Sequence, residues 1–311
     1  MFLSTLNQIG YLFLLIALGY ALMRLCCFPT DSTKVLSRLE SYLFMPALIL
    51  SNFSENFTVE RIKDAWKFFL CGLIIIVISI LISFIITRYT AKDAYLRRIH
   101  TYCLAFSNFG FMGTAVVNAL YPGLFTDYLI LATPIWIFNY GWAIPALLIP
   151  IDERKSGVRA RLKNLLNPMF VGMLIGIVIG LSGIKLPIFI ASAVDGLGKC
   201  MSPVAMLITG MTVAGINLRK ILKDKSIYIL TVISIVIIPF AFIGVCKLLP
   251  ITYEVALCGL CAIAMPLGLN SVVIPAAYGK DTSQAAGMAI VSHLFSALTI
   301  PLVITVFTNI M

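Results

Sequence analysis

The sequence predicts an all-α integral membrane protein: ten transmembrane helices built as two inverted five-helix repeats, with helices 4 and 9 broken and placed to cross. Three observations carry this. The first is composition. The 311 residues are 60% hydrophobic and 12% charged, against ~25% charged in a typical soluble domain. So few ionic groups cannot cover a water-facing surface, so lipid must be most of the solvent. The second is an internal offset. Segments 105–123 (AFSNFGFMGTAVVNALYPG) and 262–280 (AIAMPLGLNSVVIPAAYGK) are both apolar and both interrupted by polar residues and helix breakers. A slide of 157 residues lays Gly113 on Asn270, Thr114 on Ser271, Tyr121 on Tyr278, Pro46 on Pro203 and Gly19 on Gly176. The third is the distribution of Lys and Arg, which crowds into alternate loops.

Apolar runs close to the ~20 residues that span a bilayer fall at 6–23, 33–54, 66–87, 99–121, 126–149, 167–183, 187–215, 226–249, 253–278 and 283–308. The first closes at Arg24. The second contains Pro46, which should kink it and free a carbonyl about a turn earlier. The third is almost purely apolar. The fourth carries Asn108, Gly110, Gly113 and Thr114 in its middle, and the fifth ends at a charged loop. The sixth bears Gly172, Gly176 and Gly180, a smooth face for close helix approach. That face serves contact within the chain, or a homodimer seam as the alternative. The seventh begins with a segment, 187–199, of interfacial character and contains Pro203. The eighth is plain. The ninth carries Pro266, Gly268, Asn270, Ser271 and Pro275, and the tenth carries His293 near mid-depth.

With the N-terminus outside, seventeen Lys and Arg fall in inner loops and five in outer ones. The positive-inside rule then puts both termini outside and the 151–166 loop in the cytoplasm. Five spans per half is an odd number, so the second half enters the membrane from the opposite side. The repeat is therefore inverted: residues 1–150 form the first unit, 151–166 the linker and 167–311 the second. The expected location is the cytoplasmic membrane of a cell.

Several classes are disfavoured. The net charge of +10 sits in short loops and so reads as topology anchoring, with no nucleic-acid partner. The eight cysteines are scattered among apolar residues and read as packing groups. The Cys258–Cys261 spacing has no nearby His or basic group for redox or metal work. No metal-ligand cluster or nucleophile–base pair stands out, so no enzyme, metal or cofactor is expected. A basic region before the first apolar run, as a secretory signal needs, is missing.

A break inside a membrane span must line a cavity or be buried in protein, because lipid offers the open backbone no partner. Paired interruptions at matching places in two halves are the best sequence pointer to a transporter's substrate site. The substrate-binding candidates are therefore Asn108, Gly110, Gly113, Thr114, Asn118, Pro266, Gly268, Asn270 and Ser271, with Pro46 and Pro203 as a second matched pair. Ser51, Asn52, Thr209 and Thr212 follow those prolines by one to two turns. Two half-helix N-termini meeting there would present amide N–H groups and partial positive charge, an anion site made of backbone. His293 is either a packing group or a titratable coupling group. Asp195 and Lys199, one turn apart, read as a local structural pair.

The stretch Asn108-Phe-Gly110-Phe111-Met-Gly113, with Ala115 and Tyr121, resembles the helix-4 signature of the auxin efflux carrier family, which includes bacterial malate permeases. Met-Pro46-Ala-Leu-Ile, Ser-Pro203-Val-Ala-Met-Leu-Ile-Thr-Gly210-Met and Pro266 with Tyr278 and Gly279 resemble its helices 2, 7 and 9. The resemblance implies a ten-helix inverted repeat, a scaffold bundle, a transport bundle with crossed helices, and a carboxylate cargo such as malate or an auxin-like acid. Ala115 and Ser271 stand where the family often has a crossover proline, so the breaks here rest on Gly110, Gly113, Gly268 and Pro266. The short central loop fits bacterial members. The expected function is secondary transport of a small organic anion by alternating access. The alternatives are a sodium-coupled bile-acid-type symporter and a membrane sensor that binds a ligand without moving it.

Overall fold

The computed structural model describes residues 2–29, 31–149, 168–215 and 223–311. The expected 151–166 linker lies outside the described residues. The described chain is helical, without named strands. Helix α1 is Phe2–Arg24. Helix α2 runs Ser32–Leu39, through a π turn at Glu40–Phe44, into Met45–Asn56. Helix α3 is Trp66–Thr90, α4 is Ala94–Ala105 and α5 is Thr114–Leu120, entered through a π turn at Phe109–Gly113. Helix α6 runs Phe125–Phe138 and on through Asn139–Leu148. Helix α7 is Pro168–Ser182 and α8 is Ile188–Ala214. Helix α9 runs from Lys225–Val232 through Ile233–Ile237 to Ile238–Leu248. Helices α10, α11 and α12 are Tyr253–Ile263, Asn270–Ala277 and Ser283–Ile310.

Five helical stretches are long and apolar enough to cross a membrane: Trp66–Thr90, Pro122–Leu148, Ile188–Ala214, Lys225–Leu248 and Ser283–Ile310. The most apolar, α3, has a mean hydropathy of 3.2 over its best window. Its exposed face is Leu70, Ile74, Val77, Ile78, Leu81, Phe84 and Ile85. That three-and-four spacing is one helix face, and seven bare aliphatic and aromatic side chains on it need lipid, not water. Helix α7 shows the same on Val171, Leu174, Ile175, Val178 and Leu181.

Small residues set the closest helix contacts. A Cβ at Gly19 of α1 would lie 2.2 Å from the Leu207 carbonyl oxygen of α8, and one at Gly210 of α8 would lie 1.9 Å from the Ile16 carbonyl oxygen. Glycine alone permits this approach of α1 to α8. The glycine ladder of α7 packs on α2: a Cβ at Gly172 would meet the Pro46 carbonyl, at Gly176 Phe53 and Leu50, and at Gly180 the Phe57 and Phe53 carbonyls. The ladder is thus consumed inside the chain. Helices α1, α2, α7 and α8 form one group of tight packings, while α3 packs on α4 and α6, and α9 on α12.

The expected breaks in the fourth and ninth spans are present. The first covers Phe106–Asn108, between α4 and the π turn, and the second Ala264–Leu269, between α10 and α11. By contrast Pro134, Pro203, Pro275 and Pro301 sit within helices that continue past them. Pro46 falls near the start of the Met45–Asn56 segment, so a π turn precedes it and α2 continues.

Candidate functional site

The two breaks touch. Ser107 and Leu267 form an isolated antiparallel bridge, and the Asn108 N–H donates to the Pro266 carbonyl at 2.6 Å. The Ser107 hydroxyl donates to the Ala262 carbonyl at 2.5 Å, and the Leu267 N–H donates to Ser292 Oγ of α12 at 3.2 Å. Each open stretch of backbone thus finds partners in the other break or in α12, which is how unwound chain survives at membrane depth. Gly268 permits the contact, since a Cβ there would lie 2.8 Å from the Phe106 carbonyl oxygen. Gly113 sits under the Tyr128 hydroxyl, with a Cβ placed 2.1 Å from it, and Tyr128 donates to the Phe109 carbonyl at 2.8 Å.

Where the breaks meet there is a cavity of about 20 Å³, room for roughly one or two waters. Asn108, Phe109 and Gly110 line it from the first break, and Gly268, Leu269 and Asn270 from the second. Those residues include the first turns of both half-helices, whose N–H groups have no carbonyl to reach within their own helix. The opposite walls are Leu48, Ile49, Asn52 and Phe53 of α2, Tyr102 of α4, and Trp136, Asn139 and Tyr140 of α6. Four carboxamides, two phenols and an indole therefore surround the space, with no Lys, Arg, Asp or Glu in its lining.

The polar groups are ordered in two sets. Asn270 Nδ2 donates to the Tyr102 hydroxyl at 2.9 Å, and Tyr102 donates to Asn139 Oδ1 at 2.9 Å. Asn108 Nδ2 lies 3.1 Å from His293 Nε2, and His293 Nδ1 lies 2.7 Å from the Ala289 carbonyl. Asn108 and Asn270 are both buried, and the Oδ1 of each has no hydrogen-bond partner among the described residues.

The residues singled out from sequence divide as follows. Asn108, Gly110, Gly268 and Asn270 line the cavity. Pro266 acts through its carbonyl as the acceptor that ties the breaks together. Gly113, Thr114 and Ser271 lie just behind the wall: Thr114 donates to the Gly110 carbonyl at 2.7 Å and Ser271 to the Gly268 carbonyl at 2.7 Å. Asn118 is on α5, and its side chain lies outside what is described. Pro46 and Pro203 are outside the cavity lining; Pro46 instead gives its carbonyl to the contact with Gly172. Of the residues after the prolines, Asn52 lines the cavity. Thr209 and Thr212 bond back to their own helix at Ala205 and Ile208. Asp195 and Lys199 form an exposed pair one turn apart.

Sequence reading missed Tyr102, Trp136 and Asn139 in the wall. Asn139 carried the same signal as Asn108, a carboxamide two residues before a glycine in an apolar run, but its helix continues through Gly141. It also missed Glu40 in the π turn of α2. Glu40 is fully buried, and both its carboxyl oxygens lack a partner among the described residues.

A helical protein with lipid-facing apolar surfaces and two broken helices joined around a polar cavity is a multi-pass membrane protein of the transporter class. The chain belongs to the membrane transport protein family, of auxin efflux type, whose profile matches residues 5–156 and 152–304. It is 26% identical over 122 residues to Protein PIN-LIKES 1 of Arabidopsis thaliana, covering 39% of this chain and 26% of that protein. It is 30% identical over 102 residues to an uncharacterized transporter of Schizosaccharomyces pombe, covering 33% of this chain and 23% of that protein. The chain thus matches about a quarter of the length of these curated relatives. Membership places it among transporters, not enzymes.

Proposed function

We propose that the chain is a ten-span secondary transporter of small organic anions, built as an inverted repeat and working by alternating access. Residues 1–150 and 167–311 are the two units, the 151–166 loop is cytoplasmic, and both termini lie outside the cell membrane. Support for the repeat comes from packing. The slide of 157 turns Gly19 into Gly176 and Leu207 into Leu50, and the Gly19–Leu207 contact between α1 and α8 has its counterpart in Gly176–Leu50 between α7 and α2. The same glycine-on-backbone contact is thus built twice.

The observation that carries the anion reading is that both half-helix starts line one cavity whose wall holds no cationic side chain. Each helix N-terminus carries roughly half an elementary charge. Two together match one carboxylate, with Asn52, Asn108, Asn139, Asn270 and Trp136 as side-chain donors. The cavity is too small for such a cargo as it stands, so loading requires the groups of helices to part. The α1–α2–α7–α8 group and the α3–α6 and α9–α12 helices are the natural moving parts, because the broken helices belong to the second set. A malate-like dicarboxylate would need donors beyond the two helix ends.

The test is competition in proteoliposomes between a carboxylate and its uncharged amide isostere at fixed pH. The carboxylate should win by tenfold or more. A sodium-coupled symporter is the second reading, favoured by the unpaired Oδ1 atoms of Asn108 and Asn270 as cation ligands. Its test is whether uptake requires Na⁺.

A further inference from the structure

We propose that His293 is a proton-binding site whose occupancy sets which end of the Asn108 amide faces the cavity, so that each anion is carried with one proton. The proposal rests on the anion reading above.

The argument begins with hydrogen-bond valence. His293 Nδ1 lies 2.7 Å from the Ala289 carbonyl, an oxygen that can only accept, so Nδ1 carries a hydrogen in every state. In the neutral ring Nε2 is then a bare acceptor. Asn108, 3.1 Å away, must offer it the NH₂ end, which leaves Oδ1 as its remaining polar atom, buried and unpartnered at the cavity. An anion meeting that oxygen is repelled. If Nε2 takes up a proton from water in the opened cavity, an N–H bond forms and His293 becomes a donor at both nitrogens. Asn108 must then turn over, accepting from Nε2–H through Oδ1 and aiming its NH₂ at the cargo. Turning without the proton would set the Oδ1 and Nε2 lone pairs against each other.

Asn270 is under no such control. Its partner is the Tyr102 hydroxyl, which donates onward to Asn139 Oδ1. A phenol both donates and accepts, so this chain can reverse by rotating the hydroxyl and the two amides, with no proton gained. The two cavity asparagines are therefore unequal: Asn270 adapts freely, and Asn108 answers to protonation. The charge added at His293 is offset by the charge of the anion that enters with it.

His293 is buried, and its hydrogen bonds go to Asn108 and Ala289 alone among the described residues. On the elements packed against α12, the charged side chains Arg24 of α1, Asp195 and Lys199 of α8, Asp224 at the cap of α9, Lys225 and Lys247 of α9, and Glu254 of α10 are all solvent-accessible. No tyrosine or cysteine of these helices, Tyr11, Tyr20, Tyr228, Cys200, Cys246 or Tyr278 of α11's end, is hydrogen-bonded to it. Its neighbours Ser292 and Ser296 bond to Ala289 and to the His293 carbonyl.

The experiment is calorimetry of pyruvate binding to the purified full chain between about pH 5.5 and 8.5, a range that brackets the unperturbed histidine and leaves pyruvate ionised. Titrations in buffers of different ionisation enthalpy count the protons taken up. The expected result is about one proton per anion wherever His293 starts neutral, with affinity rising up to tenfold per unit as pH falls. In the His293→Gln protein, affinity should be flat with pH and proton uptake absent. Binding without proton uptake in the unmodified protein overturns this proposal and leaves the anion reading standing, as does pH-dependent binding that survives in His293→Gln. If His293→Gln fails to fold, the proton count in the unmodified protein decides. If pyruvate and a panel of mono- and dicarboxylates all fail to bind at any pH, the anion reading falls and takes this one with it.

Discussion

At the scale of residues, the site depends on a few polar atoms in an apolar interior, so single substitutions should be legible. Asn108→Leu and Asn270→Leu keep volume roughly constant and remove the donors. Each should weaken carboxylate binding by a few-fold to a hundredfold, from ~1–3 kcal/mol for a buried group left unpaired. Unchanged affinity in both proteins, at normal expression, would remove these residues from the site. Gly113→Ala places a methyl against the Tyr128 hydroxyl, at 2.1 Å before relaxation, and forces it off the Phe109 carbonyl. A loss of ~1–3 kcal/mol of stability is expected for such overpacking, read as a lower Tm. Asn108 and Asn270 were legible because a carboxamide beside glycine or proline has no other reason to sit in an apolar run. Tyr102, Trp136 and Asn139 were not, because they lie in stretches that stay helical, Trp136 and Asn139 even with Pro134, Gly141 and Pro145 nearby, and only tertiary packing turns them to the cavity. Glu40 was hidden by its neighbours: Ser37, Arg38 and Ser41 make that stretch read as the wet start of a span.

At the scale of elements, breaks followed Gly and Pro only where two segments supplied each other's missing partners. The first break opens at Phe106–Asn108, just ahead of the glycines, which fall in the π turn at Phe109–Gly113. Pro203 and Pro301 left their helices intact. The π turns at Glu40–Phe44 and Ile233–Ile237 have no composition that announces them.

The glycine contacts give an element-scale prediction. Gly19→Ala and Gly176→Ala, matched in the two halves, should both destabilise by ~1–3 kcal/mol, because backbone on the facing helix cannot yield as a side chain can. A loss in one and none in the other would argue against equivalent packing. At the membrane edge, Asp224 caps α9, accepting from the Ser226 N–H at 3.0 Å and from its hydroxyl at 2.8 Å. It also meets Lys92 of the α3–α4 loop at 3.2 Å and Gln284 of α12 at 3.1 Å. Burial pushes its carboxyl upward, but the Ser226 and Lys92 contacts outweigh that and hold it below the ordinary carboxylate value. A depressed carboxyl adds stability that is present above its unfolded value of ~3.9 and lost as pH falls through the folded one. Asp224→Ala should cost ~1 kcal/mol at neutral pH, mostly the cap, since the Lys92 pair is exposed and worth little. The ionised carboxyl's share of that difference should fade as pH drops through the folded value, below ~3.9; a difference that grows as pH falls there would refute the assignment.

At the scale of the whole molecule, composition and the loop charges identified a multi-pass membrane protein, and family membership agrees. The inverted arrangement is the proposal built on those charges and on the matched glycine contacts. Impermeant-reagent labelling in intact cells, on a cysteine-free background, should modify Ser4→Cys and spare Ser156→Cys; the reverse would invert the topology.

The central claim is that two half-helix starts and a set of amides, with no Lys or Arg in the wall, hold a carboxylate. The most direct measurement is proteoliposome uptake of a labelled monocarboxylate challenged by its own unlabelled acid anion or by the matching primary amide, at one pH and one internal buffer. The account predicts that the anion competes at least tenfold better than the amide. Equal competition by the amide, or flux of a cation alone, would contradict it.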